Sequence, residues 1–270
     1  WAGYCLWIPW YRIAAEFIRA KDDPTSLMAF TNSWLGEPFR QQIVHAKASV
    51  FEQKAKSEHA APPHKLPPWT RVLFATADTQ KDHFYYVIRA WGVGYRSQRI
   101  DHGLVATFEE LRQRTLDARF PWDGTNRNPV AVQVLGIDSG GTGNRTHEVY
   151  RFALTDQGRI RAMKGQSHAG DVPVVTKPVT YRPPNFGSAS FPVYLTMMDT
   201  AHFKDRLAHA ILASLPDVDA NTGEVRGEAE MWALNTTNDP DYNRQMASEH
   251  KVLTRTAGNR QAEVWMPVSS

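Results

Sequence analysis

71-RVLFATADTQ-80 and 130-VAVQVLGIDSGG-141 each run apolar and β-branched into an aspartate. Each reads as a strand with its carboxylate, Asp78 or Asp138, at the sheet edge. An ionised Asp138 after Val-Leu-Gly-Ile is costly unless it is paired or bound to a cation. The glycine pair Gly140-Gly141 lets backbone approach a ligand closely. The plainer readings are that Asp78 caps the turn into Lys81-Asp82 and that the glycines make an ordinary strand-to-helix turn. Taken together, two strand-end carboxylates from distant sequence point to a bound divalent metal and phosphoryl-transfer chemistry.

The pattern gives strands over 71–78, 83–91 and 95–101, the last ending at Asp101-His102-Gly103. HFYYVIRAWG is aromatic and β-branched, as strands are. Thr107 with Glu110 forms a capping box opening TFEELRQRTLDARF, whose Phe108, Leu111, Leu116 and Phe120 make an apolar stripe. Strand four, 130–137, is nearly all apolar and so reads as central and buried on both faces. A helix over 146–154, a strand near 159–164 and a Pro-rich hairpin over 172–195 follow. DTAHFKDRLAHAILASL reads as one helix with Asp199 at its N-cap. The tail gives turn-rich NTTNDPDYN, one more helix and a short strand ending at Trp265. The fold class is α/β. Three antiparallel strands, a crossover helix, a buried fourth strand and a parallel fifth match the order of the ribonuclease H-like fold, a mixed sheet flanked by helices.

A helical N-terminal segment precedes that sheet. Trp7, Trp10, Tyr11, Ala14, Phe17 and Ile18 fall near helical spacing within 1–20, Pro24 suits the first turn of a short helix, and a polar helical run spans about 40–57. AAPPHKLPPW, 60–69, has four prolines and reads as a semi-rigid linker, which sets the domain boundary between 1–69 and 70–270.

Composition is that of a globular chain of 270 residues with a formal charge of +3, compatible with nucleic acid but no evidence for it. Cys5 alone excludes a disulfide framework and a cysteine-rich zinc site. The apolar runs are strand length, so no membrane segment is expected. SGGTGN lacks dinucleotide spacing, no GxxxxGK[ST] or GxSxG occurs, and the histidines show no metal-ligand spacing. Lys164 follows a short strand and is a candidate to neutralise a phosphate, against the plainer reading of a solvated strand end. Glu109 and Glu110 fit helix capping better than metal binding. Arg145, Arg151, Arg159 and Arg161 add positive charge on the Asp138 side that would suit a phosphate backbone.

FTNSWLGEPF, ATADTQKDHFYYVIRAWGVG, IDSGG, MKG, MDTAHFK and YNRQMASEHKV, in this order, resemble the large terminase subunit of tailed phages, of the lambda-type GpA family. The resemblance covers essentially the whole chain. FTNSWLGEPF is similar to the link between that family's packaging ATPase and its nuclease. By resemblance, Asp78 corresponds to the first-strand metal-binding Asp and Asp138 to the acid of the Asp-[Ser/Thr]-Gly-Gly motif. Lys164 corresponds to the Lys-Gly lysine, and Asp199 and Lys204 to the Asp-Thr…Lys helix start. The family continues past the final Trp to an Asn-Glu-x-x-Asp stretch, whereas this sequence ends at WMPVSS. It therefore reads as a C-terminally truncated fragment, without the ATPase domain, whose metal site is incomplete and for which Asp199 is the fallback third ligand.

The resemblance implies a metal-dependent endonuclease domain that cuts concatemeric double-stranded DNA during viral genome packaging. Asp78 and Asp138 would hold one or two Mg²⁺ or Mn²⁺ ions. The implied partners are double-stranded DNA, the small terminase subunit and the portal protein, in the host cytoplasm. Another ribonuclease H-like nuclease of transposase or resolvase type, and a noncatalytic DNA-gripping module, are the alternatives. The N-terminal segment is expected to stay out of the sheet and to expose Trp1, Trp7 and Trp10.

Overall fold

The structure, a computed structural model, describes residues 7–21, 24–37, 46–140, 144–167, 172–182, 190–219, 222–255 and 261–268. Its first strands are β1 (Val72–Thr79), β2 (Phe84–Trp91) and β3 (Ser97–Val105), followed by helix α4 (Phe108–Arg114) and strand β4 (Val134–Asp138). Helices α1 (Trp10–Ala20), α2 (Pro24–Phe30) and α3 (Ala48–Ala55) precede them. Then come α5 (Arg145–Thr155), β5 (Ile160–Gln166), β6 (Val174–Tyr181), β7 (Phe191–Asp199) and α6 (Thr200–Leu212). The chain goes on to β8 (Ser214–Val218), β9 (Val225–Glu230), β10 (Trp232–Ala233), α7 (Pro240–Met246), β11 (Glu249–Arg255) and β12 (Gln261–Pro267).

Eight of these strands form one mixed sheet in the order β10-β3-β2-β1-β4-β5-β7-β6. β1, β2 and β3 pair antiparallel, and β1, β4, β5 and β7 run parallel. This is the strand order expected from the sequence, with α4 as the crossover between β3 and β4. Thr107 accepts from Glu110 N–H while the Glu110 carboxylate reaches back to Thr107 N–H, so the helix starts at the expected capping box. β6, outermost on its side, carries Lys177 and Pro178 and is exposed along most of its length. The opposite edge, β10, is two residues long.

Alternation along β1 builds two unlike faces. Leu73, Ala75 and Ala77 point into the main core with Phe84, Ile88, Leu135 and Ile137, which α4 and α5 cover through Leu111, Val149 and Phe152. Phe74, Thr76 and Asp78 point the other way, toward solvent. Over the β2–β3 half, that second face carries a smaller cluster built by Phe51 of α3, Ile211 of α6, Trp232, Leu234 and Tyr242 of α7. The buried guanidiniums of Arg89 and Arg99 lie over the rings of Trp232 and Tyr242, at 4.3 and 4.4 Å. The Arg99 guanidinium donates to Asn235 Oδ1 and Thr237 O, tying the β10–α7 segment to the sheet. The rest of that face, toward β4, β5 and β7, is open.

Several boundaries differ from the sequence reading. β3 does not stop at Asp101 but runs to Val105, because Val87, Tyr86 and Tyr85 pair with His102, Gly103 and Leu104. The helix expected to reach Leu215 stops at Leu212, and Ser214 opens the β8–β9 hairpin. The short strand near Trp265 is half of the β11–β12 hairpin. α1 and α2 supply no strand and share a small cluster of Ile13, Ala20 and Phe30. Trp7 and Trp10 are 82% and 73% exposed, while Trp1 lies outside the described residues. The chain leaves the π-helical turn after α2 through Gly36, whose φ of 68° suits glycine. The Pro-rich stretch packs on the domain: Leu66 is fully buried in the main core, and Ala61 bridges to Asn235. No helix among the described residues is long and apolar enough to cross a membrane.

Candidate active site

The pairing of β1 with β4 matches Thr76 to Gly136 and Ala77 to Ile137. One residue further, the same register sets Asp78 beside Asp138, on the open face that Thr76 and Gly136 share. Parallel neighbours in register keep their side chains on one side of the sheet, so the two carboxylates converge. Asp138 in turn pairs with Met163 of β5. The Met163 side chain lies across Gly136, where an added Cβ would collide with its sulfur, so glycine leaves the room that this packing needs.

Short-range hydrogen bonds fix both strand ends. Thr79 Oγ1 donates to Asp138 O at 2.6 Å, locking β1 to β4 at the site. Ser139, 2% exposed, donates from N–H and Oγ to Met163 O at 2.7 and 2.8 Å. Thr146 Oγ1 of α5 donates to Ser139 O. Gly140 N–H donates to Asp138 Oδ1 at 3.0 Å, and a Cβ at Gly140 would meet the same carboxylate at 3.0 Å. The Asp78 carboxylate is more open and accepts from Gln80 Nε2 at 2.6 Å.

A cavity of about 580 Å³ opens over this pair. Asp78, Asp138, Gly140, Lys164, Met198 and Thr200 are among its lining residues. Burial pushes the Asp138 carboxyl above its ordinary range. Gly140 N–H opposes that shift, the charge of Asp78 adds to it, and Lys164 opposes it. The site thus concentrates negative charge where water is partly excluded, an arrangement that a cation relieves.

Of the residues singled out in the sequence, the structure brings together Asp78, Asp138 and Lys164. Asp199 is turned to other work. Its side chain accepts from His202 N–H at 3.0 Å as the N-cap of α6, and it does not line the cavity. Its neighbour Thr200 does, donating to Gln166 O. Lys204 pairs with Glu249 of β11 at 2.6 Å, which ties α6 to the last hairpin. The arginines expected to track phosphate are largely committed within the protein. Arg145 holds Glu148 and Gln80 O, Arg159 holds the carbonyls of Leu116 and Val132, and Arg161 donates to Gln157 O. Glu110 is used in the capping box and Glu109 in a bond from Gln113. Gly141 lies outside the described residues. Thr76, Met198 and Thr200 were missed in the sequence, since only the register reveals that they flank the carboxylates.

The donor set fits a hard divalent ion. Carboxylate oxygens suit Mg²⁺ or Mn²⁺, and Mg²⁺ commonly takes one or two protein carboxylates and fills its other positions with water and substrate phosphate. No group of three or more His, Cys, Asp or Glu side chains that could hold a metal occurs among the described residues. Among the described residues, Asp78 and Asp138 are the two carboxylates that line this cavity.

A family model described as the endonuclease domain of the terminase large subunit gpA matches residues 1–270, the full sequence. The chain belongs to this terminase endonuclease-domain family. A large terminase subunit of Enterobacteria phage P21 is 26% identical over 266 residues, covering 93% of the present chain. The chain spans 37% of the length of that relative. No solved structure matches significantly. Family membership sets aside the transposase or resolvase alternative.

Proposed function

We propose that this domain is a metal-dependent endonuclease of ribonuclease H-like architecture that cuts concatemeric double-stranded viral DNA during genome packaging. The observation that carries the reading is the register that sets Asp78 beside Asp138 on the open face of the sheet, inside a cavity that Lys164 also lines. Asp78 and Asp138 would hold one or two Mg²⁺ or Mn²⁺ ions. A divalent ion bound there supplies Lewis-acid stabilisation of phosphate charge and lowers the pKa of an attacking water.

The protein's own part is positioning and electrostatics. Asp138 is held by its bond from Gly140 N–H and by the locked strand ends on either side. Asp78, more exposed, faces the substrate side. Lys164 brings an ammonium to the cavity wall, where it would balance the scissile phosphate. The exposed aromatic residues at the start of α1, Trp10 and Tyr11, with Trp7 in the turn before it, are the surface on which a preceding ATPase domain would rest. The small terminase subunit and the portal protein are the partners that would bring the domain to its DNA, in the host cytoplasm.

The test is cleavage of supercoiled plasmid by the purified chain with Mn²⁺, with EDTA as control. Wild type is expected to nick the plasmid slowly. Asp78→Asn and Asp138→Asn keep side-chain shape, remove the charge and are expected to abolish nicking with the fold intact by circular dichroism. EDTA-sensitive cleavage at the wild-type rate in both variants would show that these carboxylates do not hold the metal. DNA binding without any cleavage by wild type would instead support a noncatalytic gripping module.

A further inference from the structure

A second cavity, of about 300 Å³, lies on the other side of Asp78 and shares Thr76 and Asp78 with the first. Its walls include Tyr85 of β2, His102 and Leu104 of β3, and Asp239, Tyr242 and Gln245 at α7. The register explains the arrangement. Asp78 pairs with Tyr85, and Tyr85 pairs with Leu104, so one row across the open face reads Leu104, Tyr85, Asp78, Asp138. Paired residues on neighbouring strands lie about 5 Å apart. Tyr85 therefore stands one strand from the carboxylate that would meet the scissile phosphate.

The two cavities differ in chemistry. The first has Lys164 on its wall. The second has no Lys or Arg among its described lining residues, and it has three carboxylates, Asp78, Asp239 and Asp241. Phosphate is repelled from such a groove. Its other polar groups include the phenols of Tyr85, Tyr86 and Tyr242, the His102 imidazole and the Gln245 amide. His102 Nε2 lies 3.0 Å from Asp239 Oδ2, and its ring meets Tyr242 edge to face at 4.9 Å. Asp239 is also bound by the N–H groups of Asp241 and Tyr242. The groove is thus held open by bonds of its own. A flat, uncharged group with amino donors fits it: the ring stacks on an aromatic face, and carboxylate and amide oxygens accept from exocyclic amines.

We propose that this groove receives the nucleoside adjacent to the scissile phosphate, unstacked from the duplex, with Tyr85 as its platform. The proposal rests on the nuclease reading of the neighbouring carboxylates. Phosphate lies over Asp78, Asp138 and Lys164, and the attached sugar and base turn toward β2 and α7. Tyr85 and the acceptors at α7 then become determinants of which strand polarity and which base sit beside the cut.

The experiment uses the purified chain with Mn²⁺ and duplex oligonucleotides carrying 2-aminopurine at single positions around a mapped cut. Wild type should quench the probe most strongly at one position next to the cut. Tyr85→Ala should lose that quenching and raise KM on the order of tenfold, the usual worth of one stacked base, with a smaller change in kcat. Tyr85→Phe keeps the ring and should behave as wild type, which separates stacking from any loss of fold. Cleavage by wild type with Tyr85→Ala unchanged in KM and in quenching overturns the groove assignment alone. Absence of both binding and cleavage in wild type overturns the nuclease reading, and this assignment with it.

Discussion

Replacing Leu66 by alanine tests where the nuclease domain begins. Leu66 sits among prolines in a stretch that reads as a linker, yet it is fully buried in the main core. Its N–H donates to Pro121 O and its carbonyl accepts from Asp123 N–H, both at 2.9 Å. The substitution leaves those backbone bonds in place and removes only the side chain. Burying a leucine is worth about 1.5–3 kcal/mol, and the cavity left behind adds to that, for a total of about 2–5 kcal/mol. A loss near 3 kcal/mol corresponds to about 6–12 °C in Tm for a domain of this size. Urea unfolding should show a lower midpoint with unchanged slope, and calorimetry should give the matching shift in Tm. Val93→Ala, at a site 80% exposed, is the control and should change little. A Leu66→Ala effect below about 0.5 kcal/mol, the range of surface substitutions, would refute the reasoning and leave the stretch a linker outside the core.

Thr107→Ala removes the cap of α4 and should cost about 1 kcal/mol by chemical denaturation, with Thr107→Ser close to wild type. Asp138→Asn keeps an acceptor for Gly140 N–H and removes a charge that burial and Asp78 disfavour, so its Tm in EDTA should exceed that of wild type. Addition of Mn²⁺ should reverse the order, because an ion at a hundredfold excess over Kd adds about 2.7 kcal/mol to the wild type alone. Stability should fall on acidification in two windows. Burial, and then Arg99, hold the His102 imidazole below its ordinary 6.5 despite Asp239, so its contribution is complete above that pH and is lost as pH falls from there toward the folded value. Burial works to raise the Asp239 carboxyl, but bonds from Tyr242 N–H, His102 and Asp241 N–H hold it below 3.8, so its contribution is lost further down. His102→Gln should flatten the upper window and Asp239→Asn the lower, as read by urea midpoints against pH.

The central sheet was legible because its strands carry strong local signals. β1 and β4 alternate or run apolar up to their aspartates, β2 is rich in aromatic and β-branched residues, and Thr107 with Glu110 announces α4. Strand order followed from the sequence of those elements, and with it the meeting of Asp78 and Asp138. Other parts left no local trace. β8 and β9 contain Pro216, Asp217, Gly227 and several charges, and pair only because one follows the other across a turn. Asp101-His102-Gly103 has the composition of a turn, but β2 extends far enough to pair with it. Leu66 is one apolar residue with no periodic neighbours, so its burial depends on the contacts of Pro121 and Trp122 that only the tertiary fold supplies. Asp199 stands at a strand end like the other acids, and the helix start at Thr200 claims its carboxylate. Tyr85 reads as an ordinary strand aromatic until the register sets it next to Asp78.

The outer strand β6 has a bearing on how this domain behaves in company. A wide sheet ends in rows of backbone donors and acceptors to which another sheet can anneal. Here the margin at β6 presents Pro178, which has no N–H to offer, next to the ammonium of Lys177. An intruding strand would find a missing rung and a charge to desolvate. Copies of the domain brought to high local concentration are thereby discouraged from zipping along the β6 margin.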